Sequence, residues 1–505
     1  MNKRNKTAFG DFQTPDWLAG EIAALLAQQG ITPAAVVEPT CGQGSFLLAA
    51  YTAFPTAETF LGMDINASYI ESLRQNPTVR QNPQKFQLRQ TDFFRTDWRQ
   101  ILKTLPDPLL VIGNPPWVTN SALTTLNSDN LPAKTNFQGQ NGIEAITGSS
   151  NFDISEWMLL RMMEWVEGRE AVIAMLCKTA VARKLLRQMW QTAPEAAPQT
   201  ALYLIDSQKA FRANVDACLF LYDARTTVND PSCPVFDNFS AAQPCAIIGC
   251  REEKLIANLM YYRQWRHLIN QESKPVYKWR SGIKHDCAKV MELRQESGGY
   301  RNKLGELTEL EEDYLYPMLK SSDLARRNGV RPSRWMLVPQ QSVGENTLVI
   351  QNTAPKTWAY LQAHGNCLDN RKSSIYKNRP RFSIFGVGAY SFAPWKVAIS
   401  GMYKQIWFAA VGPHASKPVV LDDTCYFLPC QTQEEAELLT NILNSDIARQ
   451  FFQAFIFWDA KRPVTSKILQ RLDILALARE LNKLTQLQEI TQRENKRLQQ
   501  LRLPV

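Results

Sequence analysis

Apolar positions along the first 225 residues follow two periods in alternation. Trp17, Leu18, Ile22, Leu25 and Leu26 recur at helical spacing behind Thr14-Pro15, an N-cap followed by a first-turn proline, and Gly30 ends the segment. Short apolar runs at Val36-Val37, Phe60 to Met63 and Leu109 to Ile112 predict buried strands. The run Leu47 to Tyr51 and the segment Ala67 to Leu73 predict helices between them. Further on, Glu156 to Val166 and Ala180 to Met189 have helical periodicity, whereas Val172 to Leu176, Ala201 to Ile205 and Cys218 to Tyr222 read as strands. This alternation predicts an α/β domain over residues 1–225, with a mostly parallel sheet covered on both faces. Its ligands are expected beyond the carboxyl ends of the strands.

The pattern breaks in two places. Residues 118–152 are rich in Ser, Thr, Asn and Gly and have little periodicity, which suggests a lid or substrate loop. Residues 226–260 read as a connector. Beyond it, apolar runs are short and interrupted by Gly, Pro and basic residues, so a second, mixed α/β domain is expected over 261–480. Leu484, Leu487, Leu498 and Leu501 predict a C-terminal helix within 481–505, packed on its own domain.

Composition narrows the class. The chain has 505 residues and a net charge of +9, which permits a polyanionic partner without requiring one. Its 10 cysteines are scattered and its 4 histidines show no metal-ligand spacing, so neither a disulfide framework nor a zinc site is expected. The start has no apolar signal core, and no apolar run approaches the length of a membrane span. A reducing, cytoplasmic setting without a membrane partner is the expectation.

Candidate chemistry lies at the strand ends. Glu38-Pro39-Thr40-Cys41-Gly42-Gln43-Gly44-Ser45-Phe46 follows a strand and opens a helix, and Gly42 and Gly44 let backbone approach a ligand closely. The loop is neither a phosphate-binding GxxxxGK[ST] loop nor a full dinucleotide GxGxxG loop. Asp64, at the end of the next strand, can accept both ribose hydroxyl hydrogens. Asp92 can accept the adenine amino hydrogen, and Phe93 can cover a ring face. Asn114-Pro115-Pro116-Trp117 is the sharpest signal. The Asn114 side-chain oxygen and the Pro115 carbonyl can receive the two N–H groups of an exocyclic amine and aim its lone pair at an electrophile. Trp117 can stack on the base. No Pro-Cys nucleophile of the cytosine-C5 type accompanies the motif.

These motifs resemble the N6-adenine DNA methyltransferases of the gamma arrangement, in which cofactor motifs precede the catalytic motif and a target-recognition domain follows. The resemblance covers nearly the whole chain. It implies a Rossmann-like catalytic domain that binds S-adenosylmethionine through Phe12, Thr14, Glu38, Thr40, Gly42, Gly44, Asp64, Ile65, Asp92, Phe93 and Asn114. Lys209-Ala210-Phe211 resembles the motif whose Phe contacts the extruded adenine. NPPW departs from the commoner Tyr or Phe ending, but an indole still stacks. Lys278, Arg280, Lys284, Arg371, Lys372, Lys377, Arg379, Arg381, Lys461 and Arg462 are candidate contacts to double-stranded DNA. The implied activity is site-specific, adenine-specific DNA methylation by direct methyl transfer to a flipped base, with no metal. Methylation of RNA or protein glutamine, and a non-catalytic DNA-binding role, are the alternatives. No D…(D/E)xK nuclease pattern is found in the second half, so modification without cleavage is expected. The enzyme would act as a monomer on nucleoid DNA in a prokaryote, either beside a separate restriction endonuclease or alone.

Overall fold

The computed structural model describes residues 13–118, 153–273, 275–326 and 330–500, with side chains through Arg493. Phe12 and residues 119–152 of the expected substrate loop lie outside them. The chain forms two compact units, Met1–Leu259 and Met260–Val505.

The first unit is built on strands β1 (Ala35–Glu38), β2 (Thr59–Asp64), β3 (Phe86–Gln90), β4 (Leu109–Gly113), β5 (Ala171–Lys178), β6 (Ala197–Ile205), β7 (Ala217–Val228), β8 (Ser232–Phe236), β9 (Ala246–Arg251) and β10 (Lys254–Ile256). Their order across one sheet is β10-β9-β8-β6-β7-β5-β4-β1-β2-β3. The first five strands run parallel to one another, and β7 is antiparallel to both β5 and β6. Helices α1 (Asp16–Gln28), α2 (Ser45–Ala53), α3 (Ala67–Arg74), α4 (Ile154–Trp165) and α5 (Thr179–Thr192) connect or flank them. Every residue of β1 and β4 is buried, as apolar strands covered on both faces require. Helix α1 turns Leu18, Ile22, Leu25 and Leu26 into the core, and their spacing is why this segment is helical.

Two sequence expectations are corrected, the first being the N-cap of α1, which is Pro15 and not Thr14. Residues 226–260 are no connector: β7 runs on to Val228, and β8, β9 and β10 extend the same sheet. Strand β3 gave no apolar signal because it is an edge strand with only Phe86 fully buried.

The topology also sets where a ligand can lie. From β1 the chain moves outward to β2 and β3, then returns to β4 on the other side of β1. That reversal opens a crevice at the carboxyl ends of β1 and β4, where Glu38 and Gly113 end their strands.

The second unit carries β11 (Arg280–Ser281), β12 (Glu292–Glu296), β13 (Gly299–Arg301), β14 (Leu307–Thr308), β15 (Leu315–Leu319), β16 (Arg334–Leu337), β17 (Trp395–Ser400), β18 (Phe408–Val411), β19 (Val420–Leu421) and β20 (Cys425–Cys430). They form a six-stranded sheet, β14-β13-β12-β16-β15-β19, and a four-stranded sheet, β11-β20-β17-β18. The C-terminal helix spans Leu484–Gln500 and packs on the helices Gln433–Leu443 and Ile474–Glu480, burying Leu487 and Ile490. It starts at Leu484, the first of the leucines that predict it, because Asn482, at φ +56°, breaks the chain from the preceding helix. Among the described residues, no helix is long and apolar enough to cross a membrane, and no cluster of His, Cys, Asp or Glu could hold a metal.

Gly62 of β2 shows how tightly α2 sits on the sheet: a Cβ there would lie 2.4 Å from Leu47 Cδ1 and 3.0 Å from Leu88 Cδ2. Gly62→Val is predicted to destabilise the first unit by about 1–3 kcal/mol, the usual cost of overpacking. An unchanged urea-unfolding midpoint would show that α2 yields freely.

Candidate active site

The carboxyl ends of β1 and β2 build the site. Gly42 and Gly44 adopt left-handed conformations, φ +51° and +85°. A Cβ would fall 2.6 Å from Gln13 Oε1 at Gly42 and 2.5 Å from Leu73 Cδ1 at Gly44. Gly44 is also the N-cap of α2, so the loop turns directly into a helix N-terminus. Asp64 locks this loop: its Oδ2 accepts from the Gly42 N–H at 2.8 Å, and its Oδ1 accepts from the Asn66 N–H at 2.8 Å. The segment before α1 is tied across the loop, since the Gln43 N–H donates to Gln13 Oε1 at 3.2 Å and Ser45 Oγ donates to Asp16 Oδ1 at 2.7 Å.

Glu38 is buried and accepts from the Leu47 N–H at 3.1 Å. Burial raises its pKa well above the ordinary carboxylate value, and the nearby Asp64 charge adds to the rise. Burial likewise pushes the Cys41 thiol up, which disfavours a thiolate nucleophile.

Around these groups lies a cavity of about 370 Å³. Of the residues expected at the cofactor, Thr14, Glu38, Thr40, Gly42, Asp64, Ile65, Asp92, Phe93 and Asn114 line it, as does Pro116. Gly44 instead shapes the loop against Leu73. Gln13, Asn66, Tyr69, Thr91, Phe94 and Met158 also line the cavity and were not anticipated. Tyr69 follows the Asn66 helix cap and could have been placed from it, whereas Met158 reaches the cavity from α4 and had no local signal.

Phe93 has two contacts at once. It faces the cavity, and it packs against Trp98 and Trp165 with ring centroids 5.3 and 5.4 Å away. The Trp98 indole N–H donates to the Phe93 carbonyl at 2.9 Å. Asp92 turns the chain there by accepting from the Phe94 N–H at 2.8 Å.

The NPPW segment leaves the end of β4. Asn114 Nδ2 donates to Thr14 Oγ1 at 3.3 Å, which joins this motif to the N-terminal one across 100 residues. Pro115 is buried. Trp117 is only 5% exposed, and its indole N–H donates to the Leu176 carbonyl at 3.4 Å. The structure brings Trp117 and Phe211 together edge to face, with centroids 5.1 Å apart and planes at 75°. Sequence reasoning missed the support behind them. Lys178 Nζ, at the end of β5, donates to the Trp117 carbonyl at 3.2 Å and pairs with Asp153 Oδ2 at 2.6 Å.

The basic candidates of the second unit differ among themselves. Lys278, Lys372, Lys377, Arg379 and Lys461 are exposed. Arg381 and Arg462 are exposed but pair with Asp369 at 2.9 Å and Asp423 at 3.1 Å. Lys284 lies 3.4 Å from Asp286, and Arg280 stacks over the Tyr390 ring at 4.5 Å. Arg371 is turned inward: it donates to the carbonyls of Leu368, His285 and Ser383 and covers the Tyr376 ring. Its guanidinium holds the fold, so the expectation of a DNA contact there is corrected.

A glycine loop locked by an acid at the switch point of a parallel sheet, with NPPW on the adjacent strand end, defines a methyltransferase fold. Comparison with known proteins supplies the family. Residues 1–180 match the family described as N-6 DNA Methylase. Type II methyltransferase M.NspV from Nostoc sp. (strain ATCC 29411 / PCC 7524) is 44% identical over 477 residues, spanning 94% of this chain and 98% of that protein. The chain belongs to this family of DNA methyltransferases of the restriction-modification type. Among solved structures, the fold is similar to the Type IIL restriction-modification enzyme MmeI in complex with DNA, with a TM-score of 0.51 at 13% identity. That match covers 93% of this chain and 66%, just under two thirds, of MmeI.

The methyl donor of this family is S-adenosylmethionine. The cavity suits it: Gly42 leaves the loop backbone bare where a Cβ would intrude, and the walls mix carboxylates with aromatic faces. Glu38 generates a prediction. Its raised pKa means that the proton it holds stabilises the empty protein at low pH, and this contribution is lost as pH rises through the raised value. A positively charged donor favours the ionised form, so cofactor binding should release a proton at pH values below the raised pKa of the empty site. Calorimetry in buffers of different ionisation enthalpy is expected to detect that release in the wild type and not in Glu38→Gln. Equal proton release by both proteins would assign it elsewhere.

Proposed function

We propose that this protein is a site-specific DNA methyltransferase that modifies the N6 amino group of an adenine flipped out of the duplex. The observation that carries this reading is the placement of Asn114 on the cavity wall, tied to Thr14, with Pro115 and Trp117 beside it.

A target base inside a duplex cannot present its amino group to a cavity at the end of a sheet, so it must leave the stack. Trp117 and Phe211 pack edge to face on each other and Trp117 is buried, so they give the base a π face and an edge in place of its lost neighbours once their rings move apart. The Asn114 Oδ1 and the Pro115 carbonyl then accept the two amino hydrogens. These bonds favour a pyramidal nitrogen and leave its lone pair directed into the cavity. When bound, S-adenosylmethionine supplies a methyl group already activated by positive sulfur. Glu38 and Thr14 hold the methionine side, the Gly42 loop lies against the nucleoside, Asp64 holds the ribose, and Asp92 with Phe93 and Ile65 the adenine. The amino proton is lost after transfer, when the nitrogen is strongly acidic, so no dedicated strong base is needed. Catalysis comes from placement and from fixed acceptor dipoles. On this reading the second unit reads the DNA sequence, and the enzyme works as a monomer in the cytoplasm. Any cleavage activity of the system resides in a separate endonuclease.

Asn114→Ala is predicted to lower methyl transfer by about 10²–10³-fold, the usual effect of removing a polar group that acts in the transition state. Cofactor affinity, measured by calorimetry, should change far less. Equal losses in both would remove Asn114 from the transition state. Sequencing DNA from cells expressing the wild type, with Asn114→Ala cells as control, should show N6-methyladenine at one short motif. Methylated cytosine, or unmodified DNA alongside methylated RNA or protein, would overturn the assignment.

A further inference from the structure

A second cavity, of about 430 Å³, lies on the six-stranded sheet of the second unit. The strand register explains its charge. Arg294 of β12 pairs directly with Arg301 of β13, Glu292 with Met336 of β16, and Arg334 with Met318 of β15. Side chains two residues apart on a strand share a face. Glu292, Arg294, Arg301 and Arg334 are therefore brought to one face, and Lys303 and Lys320, just past their strands, complete the cavity wall.

Like charges placed directly opposite across two strands destabilise a sheet. The Arg294–Arg301 pair is kept nonetheless. Acids steady most of the neighbouring cations: Arg301 pairs with Glu296 at 2.7 Å and Arg334 with Asp323 at 3.3 Å. Glu292, 2% exposed, takes Lys303 at 2.6 Å, Lys320, and His285 Nε2 at 3.4 Å. Burial alone would raise the Glu292 pKa, but these three partners outweigh it and hold the carboxyl well below the ordinary range. Glu292 is thus a charged floor that fixes two ammonium groups at the cavity wall. Arg294 is exposed and has no ion pair or hydrogen bond among the described residues.

We propose that this face of the second unit grips the sugar-phosphate backbone of duplex DNA, with Arg294 and Lys303 as phosphate contacts and Glu292 as the anchor that positions the lysines. The proposal rests on duplex DNA being the substrate and adds a surface that sequence reading did not single out. Lys303, held by Glu292, loses little side-chain freedom on contact with a rigid, regularly charged duplex, and Arg294 brings a guanidinium that no acid among the described residues already holds.

The test is fluorescence anisotropy of a labelled duplex in about 50–300 mM KCl, with methylation kinetics in parallel. Each lost phosphate contact should flatten the slope of log K against log [salt] by about 0.9. Arg294→Gln is expected to show one such step and Arg294→Gln/Lys303→Gln two, with a raised KM for DNA, unchanged kcat and unchanged cofactor affinity. Arg294→Lys should restore most of the slope. Lys254→Gln, which removes an exposed charge from β10 of the first unit, should leave it unaltered. An unchanged slope in Arg294→Gln, an equal effect of Lys254→Gln, or failure of Arg294→Lys to rescue would overturn the proposal. A wild type that methylates no DNA would instead strike at the substrate itself, so the two failures are distinguishable.

Discussion

Two backbone N–H groups converge on the carboxylate of Asp64, and the first unit is organised around that convergence. Hydrogen bonds to a charged group contribute roughly 1.5–3 kcal/mol each. This pair fixes the left-handed turn of the glycine loop after β1 and the start of α3 after β2 at the same time. The arrangement depends on β1 and β2 being parallel neighbours, since only then do both strands deliver their carboxyl ends to one place. It also sets a second carboxylate close to buried Glu38. Like charges at close quarters disfavour double ionisation, and a cationic ligand relieves that conflict. The empty site is thereby less comfortable than the occupied one, a form of preorganisation built from strand order alone.

Behind the cavity, rigidity comes from aromatic packing. Trp98 and Trp165 stack at 4.4 Å, and Phe93 and Phe94 lean on that cluster through Trp98, Trp165 and Trp157. Phe93 can therefore offer a ring to a ligand without being free to swing away. Trp117 is held in the same spirit by polar contacts at both ends, one from its indole N–H and one to its carbonyl. The two units differ in the chemistry they present: the first gathers buried carboxylates and aromatic faces at its cavity, and the second carries exposed cations on loops and on one sheet face.

Much of the first unit could be read from its residues because its signals are local. A helical stripe announced α1, although its N-cap is Pro15 and not the expected Thr14, and apolar runs announced β1, β2, β4 and β5. What escaped was decided by context. Strand β3 sits at an edge and needs no apolar alternation, and β8 to β10 are short strands separated by turns, which looked like linker. The cavity residues named in advance lie beside the glycines, acids and prolines that make motifs. Met158 arrives from a helix whose periodicity only reports core packing. In the second unit, counting basic residues could not tell Arg371, turned onto three carbonyls, from Lys372 beside it in solvent. Nor could it reveal the Arg294 face, which exists only through strand register.

The closure around Val118 and Asp153 has a consequence for the strands at the site. The Ile154 N–H donates to the Val118 carbonyl at 3.0 Å, and Lys178 bridges the Trp117 carbonyl and Asp153. The two points where the chain departs from NPPW and returns to α4 are thus stapled to each other and to β5. Whatever lies between them begins and ends at one fixed gate. Closing a longer or shorter detour through such a gate alters the entropy only logarithmically with its length. The register of β4 and β5 at the site is therefore set by bonds that residues outside 119–152 make among themselves.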